Sequence, residues 1–169
     1  MNESLVMTVL GKDRPGLVSS LADTIASHGG NWLESRMAKL VGQFAGIIRI
    51  ECAADAVDAL IKDLQNPNSL GLTIFVVSEE AASPPARRTL EVDVVGNDRP
   101  GIVRELSAAI AKAGGNIEEL TTGLESAPMS GHPMFRAHGV ISIPEDADTA
   151  ALISIIGNLG GDLTVDVSI

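Results

Sequence analysis

Leu10-Gly11-Lys12-Asp13-Arg14-Pro15-Gly16-Leu17-Val18 is the stretch that decides the fold, because it comes twice. Val95-Gly96-Asn97-Asp98-Arg99-Pro100-Gly101-Ile102-Val103 repeats it 85 residues later. A second echo keeps the same offset, with His28-Gly29-Gly30-Asn31-Trp32 matched by Ala113-Gly114-Gly115-Asn116-Ile117. A constant offset across a helix-length spacer means two copies of one folding unit.

Outward from the first phrase, Leu5 to Leu10 is an apolar run of strand length, and Gly11 to Arg14 reads as a turn. Pro15 suits a first helical position, where a missing N–H costs nothing. Leu17, Val18, Leu21, Ala22 and Ile25 then form one apolar stripe, and Gly29-Gly30 stop the helix. Strands are expected from Asn31 to Leu40 and from Phe44 to Cys52 around a turn at Gly42. Asp55 is placed to cap a second helix carrying Val57, Leu60, Ile61 and Leu64, which Asn66-Pro67-Asn68 ends. Leu72 to Val77 is the last strand of the copy.

The second copy repeats the order. Strands are expected at Thr89–Val95, Asn116–Glu125, Phe135–Ile143 and Leu163–Ile169, with helices at Pro100–Ala113 and Asp146–Leu159. The copies differ chiefly at Ser126 to Pro133, a longer loop where the first copy has a tight turn. The order β-α-β-β-α-β, twice, predicts an α+β protein of two ferredoxin-like units packed side by side, each an antiparallel sheet with both helices on one face. The expected domains are 1–79 and 89–169, joined by a linker at 80–88 that contains Ala-Ala-Ser-Pro-Pro-Ala.

Composition narrows the function. The 169 residues carry a formal charge of −10, and both halves are acidic, which argues against direct nucleic-acid binding. Aromatic residues make up only 2% of the chain, so the cores must be built from Val, Ile, Leu and Ala. Cys52 is the single cysteine, which excludes an internal disulfide and makes a cysteine-based zinc site a poor reading. Three scattered histidines show no ligand spacing, and no metal or cofactor is expected. The start of the chain has no signal-like basic and apolar pattern, and no segment suits a bilayer, so a cytoplasmic protein is expected. No Gly-x-Ser-x-Gly, Gly-Lys-[Ser/Thr] or His-Glu-x-x-His pattern occurs. Glu118 and Glu119 are adjacent on a strand and should face opposite ways. An enzyme is not expected.

A strand followed by Gly-x-Asp-Arg-Pro-Gly-[Leu/Ile]-Val, a helix and Gly-Gly-Asn resembles the ACT domain, a small-molecule-binding regulatory module. Two such units with nothing else attached are similar to the glycine cleavage system transcriptional repressor family. The resemblance implies units paired into a continuous eight-stranded sheet, with an amino acid at the seam between a strand–helix loop and a second-strand residue. Carried over onto this chain, the ligand-binding candidates are Asp13, Arg14, Pro15, Gly16, Leu17 and Asn31, with Asn97, Asp98, Arg99, Pro100, Gly101, Ile102 and Asn116. Glycine or serine is the implied ligand, and a transcription factor or metabolic enzyme the implied protein partner. No nucleic acid or membrane is implied, and a homo-oligomer is compatible with it.

The chemistry of these residues suits an amino acid. A helix N-terminus offers backbone N–H groups and a positive dipole end to a carboxylate, glycine permits close approach, Asp attracts an ammonium group, and Asn can serve either end. Each also has a local explanation: Arg-Pro-Gly is a good helix start, Asp complements the dipole, and Gly-Gly is a helix stop. Two other functions therefore stay open, a ligand-free interaction module and a regulatory subunit of an enzyme of amino-acid metabolism.

Overall fold

A computed structural model of the chain describes residues 1–66, 70–79, 86–126 and 131–168. The chain divides into two compact units, Met1–Ala82 and Ser83–Ile169. The first holds β1 (Asn2–Lys12), α1 (Leu17–Ser27), β2 (Asn31–Leu40), β3 (Gln43–Ala53), a 3₁₀ turn at Ala54–Ala56, α2 (Val57–Leu64) and β4 (Leu72–Ser78). The second holds β5 (Arg87–Asn97), α3 (Ile102–Lys112), β6 (Asn116–Ser126), β7 (Pro133–Pro144), α4 (Thr149–Gly157) and β8 (Leu163–Ser168). Strand β5 starts inside the stretch read as linker, whose residues 80–85 lie outside those described.

Each unit is a four-stranded antiparallel sheet, in the order β2-β3-β1-β4 and β6-β7-β5-β8. This is the ferredoxin-like plan expected from the repeat. Alternation along the strands puts one set of side chains under the helices. In the first unit Leu5, Met7, Val9, Ile48, Ile50 and Ile74 meet Leu17, Leu21, Ile25, Leu60 and Leu64 in one core. In the second, Leu90, Val92, Val94 and Ile141 meet Ile102, Leu106, Ile110, Leu152 and Ile156. The cores are aliphatic, as the shortage of aromatics requires. Cys52 is buried in the first core, where burial pushes its thiol pKa up, and Trp32 packs against the same core.

Three expectations are corrected. The first helices begin at Leu17 and Ile102, not at Pro15 and Pro100. Asp55 sits in the 3₁₀ turn and caps nothing, since α2 has no side-chain cap. Helix α4 starts after Asp148, which accepts from the Ala150 and Ala151 N–H groups, and not at Asp146. The helix stops are as read. Gly29 donates to Ala26 and Gly30 to Ile25, and in the second unit Gly114 to Ala111 and Gly115 to Ile110, the Schellman pattern. Pro67 and Asn68, expected to end α2, lie outside the described residues. His28 ends α1 with its Nε2 2.9 Å from the Asp63 carboxylate, linking α1 to α2.

A bulge changes one further expectation. The register of β6 against β7 shifts between Ile117 and Glu119, so the extra residue, Glu118, breaks the alternation. Asn116 and Glu119 oppose Ser142 and Val140, and the Glu118 carboxylate reaches the same face, accepting from Ser142 Oγ and Asn116 Nδ2. Glu118 and Glu119 therefore share a face. These hydrogen bonds, Ser142 first, hold the Glu118 carboxyl below the usual carboxylate range.

Candidate functional site

The strand–helix phrase takes a similar backbone path in both units, with its second glycine in the left-handed region. Arg14-Pro15-Gly16-Leu17 is a turn closed by the Leu17 N–H donating to the Arg14 carbonyl at 3.4 Å. Gly16 has φ 78° and ψ 3°, and Gly101 has φ 96° and ψ −2°. These are the angles of the third residue of a type II turn, for which Pro-Gly is the preferred central pair. Gly16 and Gly101 thus become the residues before the first turn of each helix, and neither helix start has a side-chain cap. Its leading amides are left for other acceptors.

The arginines of the phrase are clamps. Arg14 Nη2 donates to the Leu70 carbonyl at 3.1 Å, tying the turn to the segment that leads into β4. Arg99 does the same at the matching place, donating to the Leu159 carbonyl at 3.3 Å and pairing with Asp162 at 3.4 Å. It also grips Glu105 through two bonds of 2.9 and 2.7 Å. That contact holds the Glu105 carboxyl below its ordinary range and raises the Arg99 pKa. The leading glycine of the phrase leaves room for the same approach: a Cβ on Gly96 would lie 2.4 Å from the Asp162 carbonyl oxygen.

The two loops differ in charge. In the first, the Asp13 N–H donates to the Gly42 carbonyl at 3.0 Å, and its carboxylate lies 2.5 Å from Lys39 Nζ. Helix α1 has no acid in its first turn. In the second, the Asp98 N–H donates to the Pro133 carbonyl at 3.1 Å, and its carboxylate has no side-chain partner among the described residues. A cleft of about 400 Å³ opens there, lined by Asn97, Asp98, His132 and Pro133. Glu105 already occupies the first turn of α3.

The asparagines stand elsewhere. Asn31 opposes Glu51, which opposes Ser4 near the start of β1, whereas Asp13 follows the end of β1. Asn116, Ser142 and Thr89 repeat this arrangement in the second unit. Nine residues of extended strand separate the two ends, roughly 30 Å at about 3.3 Å per residue. Within one unit the structure does not bring loop and asparagine together. In the longer loop of the second copy, read at Ser126 to Pro133, residues 127–130 lie outside the described residues. Among those residues no three His, Cys, Asp or Glu side chains cluster as metal ligands, and no helix is long and apolar enough to cross a membrane.

Sequence reading missed the arginine clamps, because their partners lie 56 and 60 residues away along the chain. It also missed the Lys39–Asp13 pair. The Lys12 to Asn97 difference was a sign that the loops are not equivalent, but not of the direction in which they differ.

Comparison with known proteins agrees with the fold. A family model for the ACT domain matches residues 3–77. The glycine cleavage system transcriptional repressors of Escherichia coli (strain K12) and Shigella flexneri are each 27% identical to this chain over 98% of its length and 88% of theirs. A solved chain from Galdieria sulphuraria of unknown function superposes with a TM-score of 0.86 at 26% identity, covering 99% of this chain and 98% of that one. A solved chain described as a candidate glycine cleavage system transcriptional repressor superposes with a TM-score of 0.71 at 17% identity, covering 99% and 97%, and bears on the fold alone. The likeness to regulators along nearly the whole chain supports a regulatory role. The first unit matches the ACT-domain family model, the second repeats its phrase and its topology, and the chain is similar along nearly its whole length to the glycine cleavage system transcriptional repressors.

Proposed function

We propose that this protein is an amino-acid-responsive regulator that acts through a protein partner, not by catalysis or by touching DNA, and that its two domains are residues 1–79 and 89–169. The observation that carries the amino-acid reading is the cleft beside Asp98, where a carboxylate without a side-chain partner among the described residues is available to an ammonium group. The first loop offers the complementary chemistry: Lys12 and an uncapped helix start with no acid in its first turn, suited to a carboxylate. Loop and asparagine stand at opposite ends of each unit, so within one unit a small ligand touches one or the other. Glycine and serine are the first candidates, since their small side chains demand no apolar pocket. The formal charge of −10 supports action through a protein rather than on DNA.

The test is a thermal-shift screen of the full chain against the twenty amino acids at millimolar concentration. A ligand at 100 times its Kd adds about 2.7 kcal/mol to stability. Selective stabilisation by one small amino acid, lost in Asp98→Asn combined with Asn116→Ala while the unliganded melt stays cooperative, is the expected result. An unchanged response in that double variant overturns the proposed site.

The arginine clamps favour a second reading, the ligand-free interaction module, because they give the repeated phrase a structural purpose with no ligand involved. A well-folded protein that responds to none of the twenty would select it.

A further inference from the structure

Asn31 and Asn116 stand at the same place in their units, and the chain surrounds them differently. Both edge strands carry a bulge two residues on. The register shifts between Trp32 and Glu34 in β2 and between Ile117 and Glu119 in β6. The extra residue is Leu33 in the first unit and Glu118 in the second. Across the pairing, Asn31 opposes Glu51 and Asn116 opposes Ser142. Ser142 is 3% exposed, the one buried polar residue among those described. It joins Asn116 and Glu118 to Arg87, the first residue of β5.

Every bond in this relay has a fixed sense. A guanidinium only donates, so Arg87 Nε donates to Ser142 Oγ at 2.9 Å. The hydroxyl proton is then left for Glu118 Oε1, which as a carboxylate oxygen only accepts. The same oxygen accepts from Asn116 at 3.0 Å, and only the amide nitrogen can supply that proton. The orientation of the Asn116 amide is therefore decided: Nδ2 is committed to Glu118 and Oδ1 is left over. Arg87 Nη2 also donates to the Gly114 and Ser142 carbonyls, both at 2.9 Å, which fixes the start of the relay. In the first unit Leu33 can accept nothing, and the Asn31 side chain has no hydrogen-bond partner among the described residues.

We propose that Glu118 is a positioning residue that makes Asn116 an acceptor, so that this end of the second unit receives the ammonium group of an amino acid and not its carboxylate. The assignment rests on the amino-acid-responsive role proposed above, with Asn116 as a ligand contact. A primary ammonium has three N–H groups, all donors, and Asn116 Oδ1 beside an ionised carboxylate answers them. The Ser142 bond, then the Asn116 bond, hold the Glu118 carboxyl below its ordinary range and so keep it charged. A ligand carboxylate would meet like charge at close range. Arg87 reaches Glu118 only through Ser142, with its Nε and Nη2 engaged on protein acceptors. Asn31, with no such neighbour, keeps both a donor and an acceptor on offer, so the two asparagines do not read a ligand alike.

Calorimetric titration of the full chain with glycine, glycinamide and N-acetylglycine tests the proposal, since glycinamide keeps only the ammonium and N-acetylglycine only the carboxylate. Glu118→Leu, which puts the first unit's residue into the same bulge, should raise the glycine Kd at least about tenfold, as loss of a charge-assisted contact requires. Glu118→Gln keeps an acceptor for Ser142 and Asn116 without the charge, and should fall between wild type and Glu118→Leu. The glycinamide Kd should rise in step with that of glycine, and N-acetylglycine should bind neither variant more weakly than wild type. Circular dichroism checks folding, and Glu118→Gln serves alone should Glu118→Leu lose structure. Without ligand, one Asn116 side-chain N–H should exchange with solvent more slowly than those of Asn31 by NMR, and lose that protection in Glu118→Leu. Equal exchange in wild type and Glu118→Leu overturns the positioning. A glycine affinity unchanged in both variants overturns the ammonium assignment and leaves a response at Asp98 standing. A wild type that binds neither glycine nor glycinamide also overturns it, and the screen of all twenty amino acids then decides the regulatory reading by itself.

Discussion

Replacing Gly16 by alanine separates two reasons for a glycine in the repeated phrase, the turn and room for a ligand. Nothing lies within 4 Å of a Cβ built on Gly16, so the substitution meets no steric obstacle. The whole cost comes from the backbone. At φ 78° and ψ 3° an L-residue sits in the left-handed region, which disfavours a Cβ by about 1–2 kcal/mol. Alanine also restricts the unfolded chain, and that returns roughly 0.4–1 kcal/mol. The net loss is about 1 kcal/mol, which for a unit of this size lowers Tm by roughly 4–8 °C. Gly16→Asn should lose less, because asparagine tolerates the left-handed region better than alanine does. Gly96→Ala should lose far more, since its Cβ would meet the Asp162 carbonyl oxygen at 2.4 Å and the backbone would have to move. Calorimetry or urea denaturation of the three variants without ligand provides the assay. An unchanged Tm in Gly16→Ala, or a greater loss in Gly16→Asn than in Gly16→Ala, would refute the turn argument and leave ligand approach as the reason for the glycine.

Val41 is the one non-glycine residue with positive φ among those described, at 47°, in a two-residue hairpin loop where asparagine before glycine is the favoured pair. Val41→Asn should therefore stabilise the first unit by about 1 kcal/mol, read as a higher urea midpoint with an unchanged slope. The depressed Glu105 carboxyl contributes stability that is present above its unfolded pKa and is lost as pH falls through the lower folded value. Glu105→Gln should accordingly flatten the acid limb of the second unit's stability curve below about pH 4.3, the unfolded glutamate value, and leave the neutral-to-basic limb parallel to wild type.

Element order and core were legible because they rest on periodicity. Leu17, Leu21 and Ile25 are all buried, as their helical spacing requires. Exact starts were less legible, because Pro-Gly is both a helix opening and the centre of a type II turn, and sequence alone does not separate them. Asp146 and Asp148 are equally good caps on paper; the chain chooses Asp148, where the side chain reaches two amides. The bulge at Glu118 was hidden for a different reason. A strand period of two contains no sign of an inserted residue, so the face of every side chain before it is misjudged relative to those after. Within the candidate site the residue types were visible and their partners were not. Arg14 and Arg99 read as cations at a helix start, and only the fold brings the Leu70 and Leu159 carbonyls to them.

The place where the repeat breaks explains how one frame holds two different loops. The offset is 85 residues from β1 to β5 and from β2 to β6, and 91 from Phe44 to Phe135 and from Ile74 to Val165. All the added length therefore enters between β6 and β7. The backbone bond that anchors the strand–helix loop survives the insertion, since Asp98 donates to Pro133 as Asp13 donates to Gly42. The partner of the aspartate does not survive. Lys39 opposes Phe44, and the residue opposing Phe135 is Leu124, which cannot neutralise a carboxylate. A lysine exchanged for leucine and a lengthened loop together leave Asp98 without a side-chain partner among the described residues, beside a cleft that includes His132. Meanwhile Glu105 adds a carboxylate to a helix start that in the first unit has none. The two copies keep the arginine clamp and the turn and differ in the charges of their loops.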